Sequence, residues 1–323
     1  MGSNWRRKLL LSLAFGALVF VALTVYADLD NLLAAFAEFN WAWLPVILCC
    51  TLANYLFRYF KWDYYTAVLD IRPRTSENLI IFFTAFVMAV TPGKFGEVLK
   101  SYLLRSVNGT NIRVSAPIIV AERLTDFIGL VLLLIVGAYV FDISRAAVVA
   151  FAVFFFAVTL LLAWRRGSLA LIDLLGRLPF LARFVGHATE AYESMHLMLR
   201  PRPFAVAVVL SVIAWFFEGL GYWIILAVFE APPTMLKAMF IYSFSTVVGA
   251  VSMLPGGLGT TEGSLTGLAQ LAGATKDVAV ASTFIIRSAT LWFAVLLGAA
   301  VTVLFQHRLN VRLDQIPLEE LKT

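Results

Sequence analysis

The stretch 87-VMAVTPGKFGEVLKSYLL-104 decides how this chain is read. It closes an apolar run that begins near Leu79, and it breaks that run with Pro92-Gly93-Lys94-Phe95-Gly96-Glu97. Proline removes a backbone donor and kinks a helix. Glycine lets the chain turn sharply, and lysine and glutamate place charge where charge is costly. One reading is a kinked spanning helix. The other is a re-entrant hairpin, two half-helices that meet at a Pro-Gly turn inside the membrane. Freed backbone at that depth is tolerated only when it is buried in protein or lines a polar cavity, so the hairpin reading also marks a site.

Composition supports a membrane setting. Of the 323 residues, 61% are hydrophobic and 14% are charged, against about 45–50% apolar in soluble domains. Several apolar runs approach or exceed the roughly 20 residues that span a bilayer as helix. Strand-period alternation of the kind a barrel needs is absent. The net charge of +5 sits in a few loops, as the positive-inside rule requires, so nucleic acid is not an expected partner. Cys49 and Cys50 are neighbours on a helix and point apart, and His187, His196 and His307 lie in or beside basic loops. No metal site and no cofactor is expected. The first apolar run, Leu9 to Ala27 after Trp5-Arg6-Arg7-Lys8, is longer than a secretory signal core and is expected to stay as a first helix.

Full spans are expected at about 8–27, 42–60, 115–141, 146–164, 204–229 and 279–306, with broken segments at about 78–104 and 235–272. The arginine-rich segment 165–202 is expected to form one or two amphipathic surface helices. If each broken segment crossed the membrane once, that segment would lie outside, against the positive-inside rule. If each enters and returns on one side, then the N-terminus, the 61–77 and 105–114 loops, segment 165–202 and the tail 307–323 all lie inside. The outside loops then keep only Arg145, Lys237 and Lys276, beside six acidic residues. The second arrangement fits better. It makes residues 1–306 a single transmembrane domain, with both termini cytoplasmic and Lys61 and Arg58 near the inner interface.

The second broken segment, 251-VSMLPGGLGTTEGSLTGL-268, repeats the grammar of the first. Pro92-Gly93-Lys94-Phe95-Gly96 aligns with Pro255-Gly256-Gly257-Leu258-Gly259 without a gap. Trp62 precedes Pro92 by 30 residues and Trp223 precedes Pro255 by 32; Arg123 follows Pro92 by 31 and Arg287 follows Pro255 by 32. Three matches in register indicate duplication, with repeats at about 42–141 and 204–306. The deduced topology makes them inverted, the arrangement found in alternating-access transporters. The fold class expected is an all-α polytopic membrane protein: about six full transmembrane helices plus two re-entrant Pro-Gly hairpins in an inverted repeat.

Charges inside apolar segments are the candidate site. Arg123 stands about eight residues into its helix, roughly 12 Å along the axis, and Arg287 is placed likewise. Each charge at mid-bilayer costs about 2.5–3.5 kcal/mol even on the lenient scale, so each needs a partner or a ligand. Glu97, Glu122, Asp126, Glu218 and Glu262 are the available acids, and Arg123 can reach Asp126 at i+3. Structural ion pairs are one reading. A polar cavity for a phosphate-bearing headgroup is the other, with Arg123, Arg287 and Lys94 as its cations and half-helix N-termini assisting. Arg58 either snorkels to the interface with Lys61 or lines the cavity entrance. No catalytic constellation and no nucleotide loop is present, so an enzyme is not expected.

The motifs 92-PGKFGEVLKSYLL-104, 121-AERLTDFIGL-130, 254-LPGGLGTTEG-263 and 285-IIRSATLWF-293, in that order, resemble the membrane region of the lysylphosphatidylglycerol synthases, from about Leu9 to Gln306. The resemblance implies lipid translocation through a central cavity formed by re-entrant helices. It places Pro92, Gly93, Gly96, Glu97, Glu122, Arg123, Asp126, Pro255, Gly256, Gly257, Gly259, Glu262 and Arg287 at that cavity. The cytosolic aminoacyl-transfer domain of the bifunctional members has no counterpart here, so lysyl-lipid synthesis is not expected. The leading expectation is a lipid flippase of the cytoplasmic membrane carrying an anionic phospholipid, an aminoacylated lipid or a polyprenyl-linked sugar. An intramembrane glycosyl- or headgroup transferase with Glu97 or Glu262 as base is a rival. So is a scaffold subunit that partners a lipid-synthesis enzyme.

Overall fold

A computed structural model describes residues 3–90, 97–138, 145–178, 182–230 and 233–305. Pro92, Gly93, Lys94 and Gly96 of the first break, and the tail 307–323, lie outside the described residues. Every extended element described is helical, and the protein is an all-α, multi-pass membrane protein.

The expected spans form, with two revisions. Helix α1 (Ser3–Ala27) turns through 94° into α2 (Leu29–Glu38), a helix that the apolar pattern did not separate from its loop. Asp28 makes the corner: its φ is 73°, and its carboxylate accepts from the Asp30 amide to cap α2. The buried face of α2, Leu32 and Ala35, packs on Val280 and Ala281. The second revision is α3 (Leu44–Val68), which runs well past residue 60 and so carries Lys61 within the helix rather than in the loop after it.

The chain continues through α4 (Thr75–Thr84), extended by a 3-10 turn over Ala85–Met88, then α5 (Leu99–Asn108) and α6 (Ile112–Ala138). After α7 (Arg145–Ala163) come α8 (Arg165–Gly176) and α9 (Val185–Met198), two helices within segment 165–202, where one or two were expected. Arg165 of α8 pairs with Glu193 of α9 at 2.5 Å, and that hydrogen bond holds the Glu193 carboxyl below its ordinary range. The second half is α10 (Pro201–Val228), α11 (Met235–Val251), α12 (Thr260–Leu271) and a rod of α13 (Lys276–Arg287), a π-turn over Ser288–Trp292, and α14 (Phe293–Phe305). The order long helix, short helix, break, short helix, long helix thus occurs twice.

Helices α3 (taken from Trp41), α10 and the Lys276–Phe305 rod are each long and apolar enough to cross a bilayer, and the bent α1–α2 pair is a further candidate. Helix α6 is 27 residues long but carries Glu122, Arg123 and Asp126 in its middle. Lipid is as apolar as leucine, so helices in a membrane associate through close packing and interhelical hydrogen bonds rather than through burial from water. That logic is visible at the α3–α10 crossing. Cys50 faces Gly221, and the Asn54 amide donates to the Ala214 carbonyl at 2.8 Å. Cys49 faces outward. Gly298 lets α14 approach the Phe86 and Val87 backbone.

The second break is fully described. Helix α11 ends at Val251, and the backbone takes positive φ at Met253, Gly256, Gly257 and Gly259. Such values suit glycine, which lacks the Cβ that would clash. Helix α12 then packs back along α11. The contact is close because Gly249 has no side chain: a Cβ there would fall on Thr261 Oγ1.

Gly249→Ala is therefore expected to force the hairpin apart and destabilise the protein by about 1–3 kcal/mol. Gly263→Ala, in the same hairpin but with open space around its Cα, should leave stability unchanged or slightly raised. Thermal unfolding of both variants in detergent checks the pair; equal losses would count against the close-packing account.

Candidate functional site

The two halves meet around one cavity of about 290 Å³. Helix α3 supplies Tyr55 and Arg58, α6 supplies Arg123 and Asp126, and α10 supplies Trp215 and Glu218. Each is a pair spaced i, i+3, which puts both members on one helix face. Glu97 reaches in just ahead of α5, and Tyr242 and Thr246 come from α11. Gly256 and Gly257 of the second turn, Thr261 of α12 and Arg287 of α13 close the other side.

Six of the residues singled out in the sequence, Arg58, Glu97, Arg123, Asp126, Glu218 and Arg287, line this cavity. Glu122 and Glu262 are buried behind its wall. Lys94 lies outside the described residues. Of the turn residues, Gly256 and Gly257 line the cavity, and Pro255 and Gly259 complete the same turn.

Nearly every charge here is matched. Arg287 donates from Nε to Glu262 Oε1 at 2.5 Å and from Nη2 to the Gly256 carbonyl at 2.7 Å. The other oxygen of Glu262 accepts from the Gly259 amide at 2.7 Å, so one carboxylate caps the N-terminus of α12 and holds the arginine. Arg123 grips Glu97 through Nε, at 3.1 Å, and through Nη2. Both oxygens are engaged, a two-point geometry that suits guanidinium. Arg123 also stands 3.8 Å from Asp126. In each half, an arginine clasps a glutamate that lies 25 or 26 residues before it.

Lys100 was not singled out in the sequence, and Lys61 was placed at the inner interface. Lys61 is 1% exposed. It donates to Asp126 at 2.6 Å and Ser211 at 2.8 Å. Snorkelling to the interface is therefore not its role here. A helix extending to Val68 buries position 61, and Asp126 neutralises it. Lys100 pairs with Glu122 at 2.5 Å and sits 4.3 Å from the centre of the Trp62 ring. The available signal was a lysine inside an apolar segment, eight residues past Pro92. Glu122 and Asp126 share a face of α6, but Lys100 turns the first away from the cavity. Tyr242 donates to Glu218 at 2.6 Å; nothing in the sequence singled out that tyrosine. No group of three or more metal-ligating side chains occurs among the described residues.

The family profile described as "Lysylphosphatidylglycerol synthase TM region" matches residues 9–298, which include both breaks and the whole cavity. The chain belongs to this family. A UPF0104 membrane protein of Methanothermobacter thermautotrophicus is 22% identical over 339 residues, covering 94% of this chain and 95% of the relative. Another from Pyrococcus horikoshii is 26% identical over 260 residues, covering 72% and 77%. A third from Methanocaldococcus jannaschii is 23% identical over 228 residues, covering 69% and 96%.

Removing one partner of a buried ion pair strands the other, at a cost of about 3–5 kcal/mol. Arg287→Gln should show that loss, because Glu262 is fully buried. The double variant Arg287→Gln/Glu262→Gln should recover most of it, since the amide oxygen can still accept from Gly259. Denaturant unfolding in detergent reads both. A double variant as unstable as the single one would show that charge matching is not what the pair contributes.

Proposed function

We propose that this protein moves a lipid with a phosphate-bearing polar headgroup between the leaflets of the cytoplasmic membrane. The observation that carries the reading is the position of the clasped arginines. Arg123–Glu97 and Arg287–Glu262 come from opposite halves of the chain and meet at one cavity inside an apolar bundle. A purely structural ion pair needs no cavity. A cavity walled by charge inside a membrane calls for a polar occupant, and a lipid headgroup is the occupant that lipid surroundings deliver.

In this reading the two halves, α3–α6 and α10–α14, are inverted repeats, and each break is a re-entrant hairpin. The cavity takes the headgroup while the acyl or prenyl chains remain in the bilayer, along outward apolar side chains such as Leu296, Val303 and Leu304. Rocking of one half against the other exposes the cavity to each side in turn. The clasps serve as latches: opening one side separates an arginine from its glutamate, and headgroup binding in the cavity offsets the cost of that separation. The basic loops and both termini face the cytoplasm. The protein performs no covalent chemistry, and its partners are membrane lipids. The family's name, which refers to synthesis of an aminoacylated phospholipid, supports a lipid as cargo.

Leaflet exchange in proteoliposomes tests the reading. Headgroup-labelled phosphatidylglycerol, an aminoacylated form, a glycolipid and a polyprenyl-phosphate sugar would be offered to wild type and to Arg123→Ala and Arg287→Ala. Wild type should exchange one class, and each folded variant should lose at least about tenfold of that rate, as removal of a charge-assisted contact predicts. No exchange of any class by folded wild type would overturn translocation.

A further inference from the structure

The cations of the site differ in what they already hold. Lys61 is matched to Asp126, Lys100 to Glu122, Arg123 to Glu97 and Arg287 to Glu262. Arg58 lines the same cavity as Asp126 and Glu218 and interacts electrostatically with Asp126, yet it lies against aromatic rings and forms no direct ion pair with a described carboxylate. Its guanidinium carbon is 5.8 Å from the centre of the Phe86 ring and 5.9 Å from that of Trp215. Among the described residues it has no ion-pair partner and no hydrogen-bond acceptor. Ring faces hold a cation electrostatically without using its N–H donors, and guanidinium presents five of these in a planar fork. Trp215 is itself anchored, donating to Asp126 at 3.1 Å, so the aromatic seat is rigid. An arginine with unused donors in the wall of a polar cavity is configured for an anion that arrives from outside the protein.

We propose that Arg58 receives the phosphate of the headgroup, and that Arg123 and Arg287 act as latches rather than as phosphate ligands. The ligand class is a phosphodiester or phosphomonoester, and the assignment commits to a membrane lipid as its source. It rests on the translocation reading for its purpose, but it can be tested by binding alone. Arg58 makes no ion pair, so Arg58→Gln should fold as wild type does. Phe86→Leu, which keeps the charge and removes one face of the seat, provides a second probe, and Arg58→Lys a conservative one.

The experiment is native mass spectrometry of detergent-purified protein titrated with phosphatidylglycerol, phosphatidylethanolamine and a diacylglycerol of the same chains, paired with the leaflet-exchange assay. Wild type should retain both phospholipids in preference to diacylglycerol. Arg58→Gln should weaken phospholipid retention by about tenfold, the loss of one charge-assisted contact, with Arg58→Lys and Phe86→Leu in between. Unchanged retention in folded Arg58→Gln, with exchange intact, overturns the seat and leaves translocation standing. Selective retention lost in Arg58→Gln, with no exchange by wild type, upholds the seat and removes translocation. Displacement of phospholipid by equimolar inorganic phosphate overturns the lipid as source and reassigns Arg58 to free phosphate.

Discussion

A charge held at bilayer depth must find a counter-charge, and much of this fold is arranged around that requirement. Asp126 is the clearest case. It accepts from Lys61 of α3 and from Ser211 and Trp215 of α10, and it faces Arg123 one turn away on its own helix. One carboxylate therefore ties three helices together. In water such a cluster would gain little over its separate hydrated ions. In an apolar bundle the alternative is an unpaired ion, so the cluster becomes a strong determinant of how the helices sit.

The same constraint shapes the turn between α11 and α12. The turn exposes backbone groups that no helix satisfies. Arg287 takes the Gly256 carbonyl, and Glu262 takes the Gly259 amide. Just beyond Arg287 the helix widens into a π-turn, and the Tyr55 hydroxyl meets the Thr290 carbonyl there at 2.6 Å. Insertions of this kind often mark functional positions. Arg287 lines the cavity and Glu262 holds it from behind the wall, so architecture and site share the same side chains. An exchange of partners at the clasps would therefore move helices, which is the coupling that a transporter needs.

The spans were legible because twenty apolar residues in succession have few other uses. The boundaries were not, and Lys61 shows the consequence: once α3 extends to Val68, a residue assigned to the interface becomes part of the core. The bend at Asp28 was equally hidden, since a single residue in a positive-φ conformation leaves no trace in an apolar pattern. Among the site residues, charges within apolar runs announced themselves. Tyr55, Trp215 and Tyr242 did not, because an aromatic residue in a membrane helix is ordinary until its hydroxyl or indole is seen to face an acid or a carbonyl.

By itself the sequence determined the solvent and the grammar: a helical membrane protein, two Pro-Gly breaks in register, and a set of charges too deep to be left alone. These follow from local chemistry, namely apolar run length, missing amides, flexible glycines and the cost of ions in hydrocarbon. Only the tertiary structure decided which charge answers which. Glu262 follows Pro255 by seven residues and Glu97 follows Pro92 by five, yet each reaches the arginine about 25 residues further on, because helix packing and not spacing sets those distances. Pairing four cations with four acids in three dimensions also left Arg58 on its aromatic seat, a difference that no count of charges along the chain contains.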